Sequence, residues 1–217
     1  MRRVWLEAPG TPVARKVRLI YFIRHGQTEF NREGRMQGQL DSPLTDLGVE
    51  QARRMGQRLK SLVDDPARWA IIASPLGRTL RTAQIVRETV GLTCEIELDP
   101  RLAELSVGEW EGQTRAEIGA RHPGLLDGPD WIYGAPGGES RLALEARLSD
   151  WLAGIDEGDG RRRLVVSHGA AGRVLRALYA GGDPAGAWRP DPPPQDAVFR
   201  LHGGVVARID VAGADAP

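Results

Sequence analysis

Cysteine is almost absent from this sequence: Cys94 is the only one in 217 residues. No intramolecular disulfide can form, which suits a reducing, cytoplasmic setting. Neither sign of charge is in excess, with 29 basic and 29 acidic side chains. Nucleic-acid binders as a rule carry a basic surplus, so no nucleic-acid partner is expected; a local positive pocket for an anion remains open. No apolar run approaches the roughly 18 residues of a membrane span, so no membrane partner is expected either. The stretch Met1 to Lys16 has arginines but no apolar segment of signal-peptide type, and it lacks the serines of a transit peptide. It reads as a frayed extension. Cysteine clusters and tight His/Asp/Glu groups are missing too, so neither a metal nor another cofactor is implied.

What is present is an alternation of strand and helix. Val17 to Ile23 is an apolar run of strand length and reads as a buried parallel strand. Asp46 to Val63 places Leu47, Met55, Leu59 and Leu62 at helical spacing, with Thr45 as N-cap. Strands follow at Trp69–Ala73 and Cys94–Leu98, with a helix over Leu76–Val90 between them. Val107 to Pro136 is irregular, rich in glycine and aromatics, with one short helix over Thr114–Arg121. A helix over Glu139–Ile155, a strand over Leu164–Ser167 and a helix over Ala170–Tyr179 come next. Arg189 to Asp196 holds four prolines and must be a loop. Ala197–Leu201 and Val205–Val211 flank His202-Gly203-Gly204 as a hairpin. The length suits a single domain over 17–211 with a short tail, 212–217. The alternation predicts a three-layer α/β/α sandwich with a mostly parallel central sheet.

Ligands of such folds sit beyond the carboxyl ends of the strands. There the sequence places Arg24-His25-Gly26, Ser167-His168-Gly169, Ser74-Pro75 leading to Arg78, and Asp99-Pro100 leading to Glu104. Two arginines and backbone N–H groups at helix starts make an anion site that suits phosphate. A neutral histidine can attack phosphorus in line. A glutamate near the leaving oxygen can give it a proton. Glycine after each histidine would let the backbone approach the ligand. Taken singly, Arg24 would be a surface charge and His25 a hydrogen-bonded histidine; their joint position at a strand end favours chemistry. Glu109 and Glu111 compete with Glu104. His122 and His202 read as surface and turn residues.

These residues carry a resemblance. Arg24-His25-Gly26-Gln27-Thr28-Glu29-Phe30-Asn31 is similar to the RHG-x-T-x-x-N signature of the histidine phosphatase superfamily, the phosphoglycerate mutase-like family. Further segments match in order: Gln37-Gly38, Asp41 to Thr45, Ser74-Pro75-Leu76-Gly77-Arg78-Thr79, Arg101-Leu102-Ala103-Glu104 with Trp110-Glu111-Gly112, Gly137 to Ser140, and Ser167-His168-Gly169. The resemblance implies a phosphoglycerate mutase-like fold and a phosphohistidine intermediate. His25 would be the nucleophile, and Arg24, Arg78 and His168 would hold the phosphoryl oxygens. Glu104 would be the proton donor and then the base. Asn31, Gln37, Gly38, Ser167 and Gly169 would line the substrate site. Gln27 departs from the Glu that many members carry.

Three activities fit: a metal-independent phosphomonoester hydrolase of the histidine acid phosphatase type, a cofactor-dependent phosphoglycerate mutase, and an inactive phosphate-binding module. The short span from Glu104 to His168 and the short tail favour the hydrolase. The filled catalytic positions disfavour the inactive module. The partner is then a small-molecule phosphate ester. Sugar phosphates, phosphoglycerates, a nucleotide-loop phosphate and phosphoamino acids all remain open. Whether Arg115, Arg121, Trp110, Trp131 and Tyr133 touch substrate also stays open. An edge strand could pair two copies as a homodimer.

Overall fold

The computed structural model describes residues 19–128, 130–155, 158–184 and 194–211. The expected N-terminal extension, residues 17 and 18, most of the proline-rich loop and the tail after 211 lie outside them. A six-stranded sheet runs in the order β3-β2-β4-β1-β5-β6. Its strands are β1 Ile20–Arg24, β2 Trp69–Ala73, β3 Ile96–Leu98, β4 Arg162–Ser167, β5 Ala197–His202 and β6 Val205–Asp210. The first four in spatial order are parallel, and β5 and β6 are antiparallel to their neighbours.

The helices are α1 Glu29–Arg32, α2 Asp46–Lys60, α3 Gly77–Val90, α4 Arg115–Arg121, α5 Arg141–Ala153 and α6 Gly169–Tyr179. They cover both faces of the sheet, because successive residues of a strand point to opposite sides. Tyr21, Ile23, Leu164 and Val166 meet Met55 and Leu59 of α2 and Val86 of α3 on one side. Phe22 and Val165 meet Leu144 and Leu148 of α5 and Val174 of α6 on the other. Each fully buried side chain of this size contributes about 2 kcal/mol of hydrophobic stabilisation. The sandwich is therefore the three-layer α/β/α fold expected.

The differences are α1, a one-turn helix that the sequence did not mark, and several element ends. β1 begins at Ile20, and Leu19 before it still accepts the Arg163 N–H of β4 at 3.1 Å. Leu47 shares the helical spacing of the core residues but is 49% exposed, so the apolar stripe of α2 starts later. β3 opens at Ile96 rather than Cys94, as a short outer strand whose Glu97 and Leu98 face solvent. α5 starts at Arg141 because the Ser140 side chain accepts the Ala143 N–H as its cap. In the β5–β6 hairpin, Gly203 and Gly204 both take positive φ, 63° and 75°, as a two-residue turn of that hand requires. Among the described residues, no helix is long and apolar enough to cross a membrane.

Register brings the chemistry to one edge. Arg24 pairs with Ser167, and Ala73 pairs with both Val166 and Leu98. The residues that follow, His25, His168, Ser74 and Asp99, therefore leave the sheet side by side.

Candidate active site

His25 leaves β1 with its N–H donated to the Ser167 carbonyl at 3.0 Å. Its ring is 1% exposed. The ring Nδ1 lies 2.8 Å from the Gly26 carbonyl, which can only accept, so Nδ1 carries the proton and Nε2 keeps its lone pair. Burial pushes the ring's pKa well below the usual histidine range. The positive charges of Arg24 and Arg78 push it further, against a small opposing effect of the Gly26 bond. A neutral ring with a free Nε2 is what an attack on phosphorus requires.

The glycine after His25 has a different reason from the one expected. A Cβ on Gly26 would stand 2.1 Å from the Gly48 carbonyl oxygen, and one on Gly48 would stand 2.0 Å from the Gln27 carbonyl oxygen. The loop after the nucleophile sits on the first turn of α2 with no room for a side chain. Gln27, the departure from the family pattern, accepts from the Thr45 hydroxyl at 2.9 Å. Its backbone N–H reaches Gln51 at 2.8 Å. Asn31 closes a capping box on α1, and its Oδ1 accepts from the Thr28 N–H and from Gln195 Nε2 at 2.9 Å.

His168 follows β4 and is equally buried. Its ring centre is 5.2 Å from that of His25, edge to face. Its Nε2 is 2.7 Å from Ser74 Oγ, and its Nδ1 is buried without a hydrogen-bond partner. Burial first, then Arg78, His25, Arg24 and Arg147, lower its pKa well below the usual range. Ser167, beside it, turns its hydroxyl to the Leu102 carbonyl at 2.8 Å.

Arg78, in the first turn of α3, has a side chain shut off from solvent. Its guanidinium donates to the carbonyls of Leu40 and Gly38, both at 2.8 Å, and to Asp41 Oδ1 at 3.3 Å. The Nε–H is left buried without a protein partner. Gly38 takes φ 53° in that loop, and Gln37 beside it is buried with its amide oxygen unbonded. Arg24 ends β1. Burial lowers its pKa to about 10, partly offset by the charge of Glu104.

Glu104 ends the loop after β3. One carboxylate oxygen accepts from the N–H groups of Gly169 and Ala170, at 2.9 and 3.1 Å. The other accepts from Ala171 and Leu105, both at 2.9 Å. The carboxylate thus caps the positive end of α6, beside His168. Of its two competitors, Glu109 is exposed, and Glu111 spends its carboxylate on the N–H groups of Gln39, Leu40 and Val107.

Arg115 lies 5.1 Å over the Trp131 ring and donates to the Leu126 carbonyl, while Arg121 bonds Gln113. Trp110 and Trp131 are core residues, with ring centres 5.8 Å apart. Tyr133 is half-buried, and burial pushes its phenol up to about 12. His122 and His202 are exposed, as expected.

Two site-building residues escape a reading of the sequence. Arg147, midway along α5, donates to the carbonyls of Arg101, Ala103 and Glu104. Gln195, next to the prolines, reaches Asn31 and, at 3.4 Å, the His25 carbonyl. Arg147 had a faint signal, an arginine on the core-facing side of an apolar helix. Gln195 had none. Among the described residues, no three His, Cys, Asp or Glu side chains stand close enough together to hold a metal.

The model of the histidine phosphatase superfamily, branch 1, matches residues 20–202. A protein of Salmonella paratyphi C named "Probable phosphoglycerate mutase GpmB" is 42% identical over 200 residues, covering 88% of this chain and 84% of the relative. The solved structure of Bacillus stearothermophilus YhfR is 33% identical with a TM-score of 0.72, covering 91% of this chain and 98% of its own. A mycobacterial glucosyl-3-phosphoglycerate phosphatase, solved with VO3, is 30% identical with a TM-score of 0.68, covering 85% and 92%. The chain belongs to branch 1 of the histidine phosphatase superfamily, whose enzymes are phosphatases and mutases.

Proposed function

We propose that the protein is a metal-independent phosphomonoester hydrolase that works through a phosphohistidine at His25. The observation that carries this reading is the His25 ring itself: neutral, buried, with Nδ1–H fixed on Gly26 and Nε2 free between two arginines. In the proposed cycle, Nε2 attacks phosphorus and the bond to the leaving oxygen breaks. Arg24, Arg78 and His168 hold the three phosphoryl oxygens. Charge stabilisation and positioning are most of what phosphoryl transfer needs, and guanidiniums can supply both.

Glu104 handles the protons. As the bond to phosphorus breaks, Glu104 gives a proton to the leaving oxygen. The carboxylate then takes a proton from the water that attacks the phosphohistidine, and phosphate leaves. Gln37 and Gly38 bound the pocket. Asn31, Ser167 and Gly169 act through the backbone and side chains that they hold in place.

Hydrolysis is preferred over mutation because a mutase must keep water from the phosphohistidine while a bisphosphate reorients. The segment 107–136 supports this preference. It is made of short turns and α4, and its Val107, Trp110, Ile118, Trp131 and Ile132 pack into the core. The span from Glu104 to His168 is short, and its described residues include no long insertion to seal the site. The second reading, a phosphoglycerate mutase, draws on the name of the Salmonella relative. The mycobacterial phosphatase and its vanadate complex favour the first.

The test is product analysis on a panel of phosphate esters that includes 3-phosphoglycerate with and without its bisphosphate. Inorganic phosphate from at least one ester, unaffected by chelator, is the expected result. Formation of 2-phosphoglycerate with little phosphate released would make the protein a mutase.

A further inference from the structure

His168 is surrounded by Arg78, Arg24 and Arg147, and by the His25 ring. Three guanidiniums and full burial disfavour a fourth positive charge, so the ring is neutral and has one N–H to offer. Which nitrogen carries it decides whether the ring attracts or repels a phosphoryl oxygen.

Ser74 makes that choice. Its side chain is fully buried at the end of β2. Its Oγ accepts the Leu76 N–H at 3.4 Å and lies 2.7 Å from His168 Nε2. The backbone around it is fixed by Thr79 Oγ1, which donates to the Ser74 carbonyl at 2.9 Å, and by the Ser74 N–H, which donates to the Val166 carbonyl at 3.1 Å. Among the described residues, these are the two bonds of the hydroxyl. With one of them spent on accepting from Leu76, the hydroxyl proton has a single acceptor, Nε2. The ring proton is then on Nδ1, the buried atom that no protein group satisfies.

We propose that Ser74 is a positioning residue that locks His168 in the Nδ1–H tautomer, so that this ring gives a phosphoryl oxygen a neutral hydrogen bond. The two histidines then divide the work by their partners. His25 has its proton on Gly26 and its lone pair turned to phosphorus. His168 has its lone pair on Ser74 and its proton turned to the phosphoryl oxygen. If the tautomer of His168 were reversed, a lone pair would face that oxygen and the serine proton would lose its acceptor. The role of the Nδ1–H rests on the phosphoryl-transfer reading of the site, whereas the tautomer itself can be read with no substrate at all.

The experiment is nitrogen-15 NMR of the imidazole rings in the intact protein, with the His168 signals assigned from a His168→Asn variant. The wild type should show a protonated Nδ1 and a bare Nε2. Ser74→Ala should shift His168 toward the other tautomer and weaken vanadate binding about 10-fold, the effect of one such hydrogen bond. Ser74→Thr, which keeps the hydroxyl, should restore both. A wild-type ring protonated at Nε2 would overturn the proposal whether or not any variant folds. So would a folded Ser74→Ala protein with unchanged tautomer and vanadate affinity. Failure of the hydrolase reading would be seen separately, as phosphate release from no ester while the tautomer stays as stated.

Discussion

Arg147 and Glu139 form a two-bonded ion pair, 2.6 Å from Nε to Oε1 and 2.8 Å from Nη2 to Oε2. Both side chains are mostly buried. The same guanidinium donates to the carbonyls of Arg101, Ala103 and Glu104, so the pair clamps the loop that carries Glu104. Breaking such a pair leaves a charge uncompensated away from water. Glu139→Gln should cost about 3 kcal/mol of stability in a denaturant titration. Activity should fall by about 100-fold, the effect of a small misplacement of a reacting group. A variant of unchanged stability and activity would mean that the loop holds itself.

Glu111 does the same for Arg78, one step removed. It accepts the N–H groups of Gln39 and Leu40, whose loop supplies the carbonyls of Gly38 and Leu40 to the Arg78 guanidinium. Glu111→Ala should free that loop and loosen Arg78. The expected result is a KM raised about 10-fold, as for one lost charged contact to phosphate. A change in kcat with KM intact would place Glu111 in the chemical step instead.

The histidines make stability fall in acid. His25 and His168 are held well below the ordinary histidine pKa in the fold, burial being the largest cause in each. Below about pH 6.5, the unfolded chain takes up two protons that the folded one refuses. Stability is therefore intact above that pH and declines as pH falls from there toward the folded values. The slope is about 1.4 kcal/mol per pH unit for each ring. Urea titrations between about pH 6.5 and 5 should show this decline, and His25→Asn with His168→Asn should flatten it. An equal slope in the double variant would assign it to other groups.

Gly48→Ala tests the seat of the nucleophile loop. The added methyl would meet the Gln27 carbonyl at 2.0 Å, backbone against backbone, with no flexible side chain to give way. Overpacking of this kind costs about 1–3 kcal/mol. The loop should also shift, lowering phosphatase activity together with the melting temperature. An alanine variant as stable and as active as the wild type would show that the contact relaxes freely.

Much of this could be read along the chain, for identifiable reasons. Three of the four parallel strands, β1, β2 and β4, showed as apolar runs because both of their faces are buried, as in Leu164 to Val166. Thr45 was legible as a cap because its side chain serves its own helix. What escaped were contacts between distant segments. Glu139 looked like part of its helix but pairs with Arg147 across two turns. Gly26 looked like a ligand approach but is a backbone seat on Gly48. Ser74 stood in a recognisable motif, yet nothing along the chain ties it to His168. Leu47 misled because helical spacing marks a stripe without saying where the stripe meets the sheet.

The central claim, that phosphate passes through His25, is tested most directly by trapping the intermediate. The enzyme is mixed with an activated aryl phosphate, quenched in alkaline denaturant, where phosphohistidine survives, and digested for mass spectrometry. The account predicts one phosphoryl group on the peptide holding His25, lost on brief acid treatment and absent from His25→Ala. An acid-stable phosphoryl group elsewhere, or turnover by His25→Ala equal to that of the wild type, would contradict it.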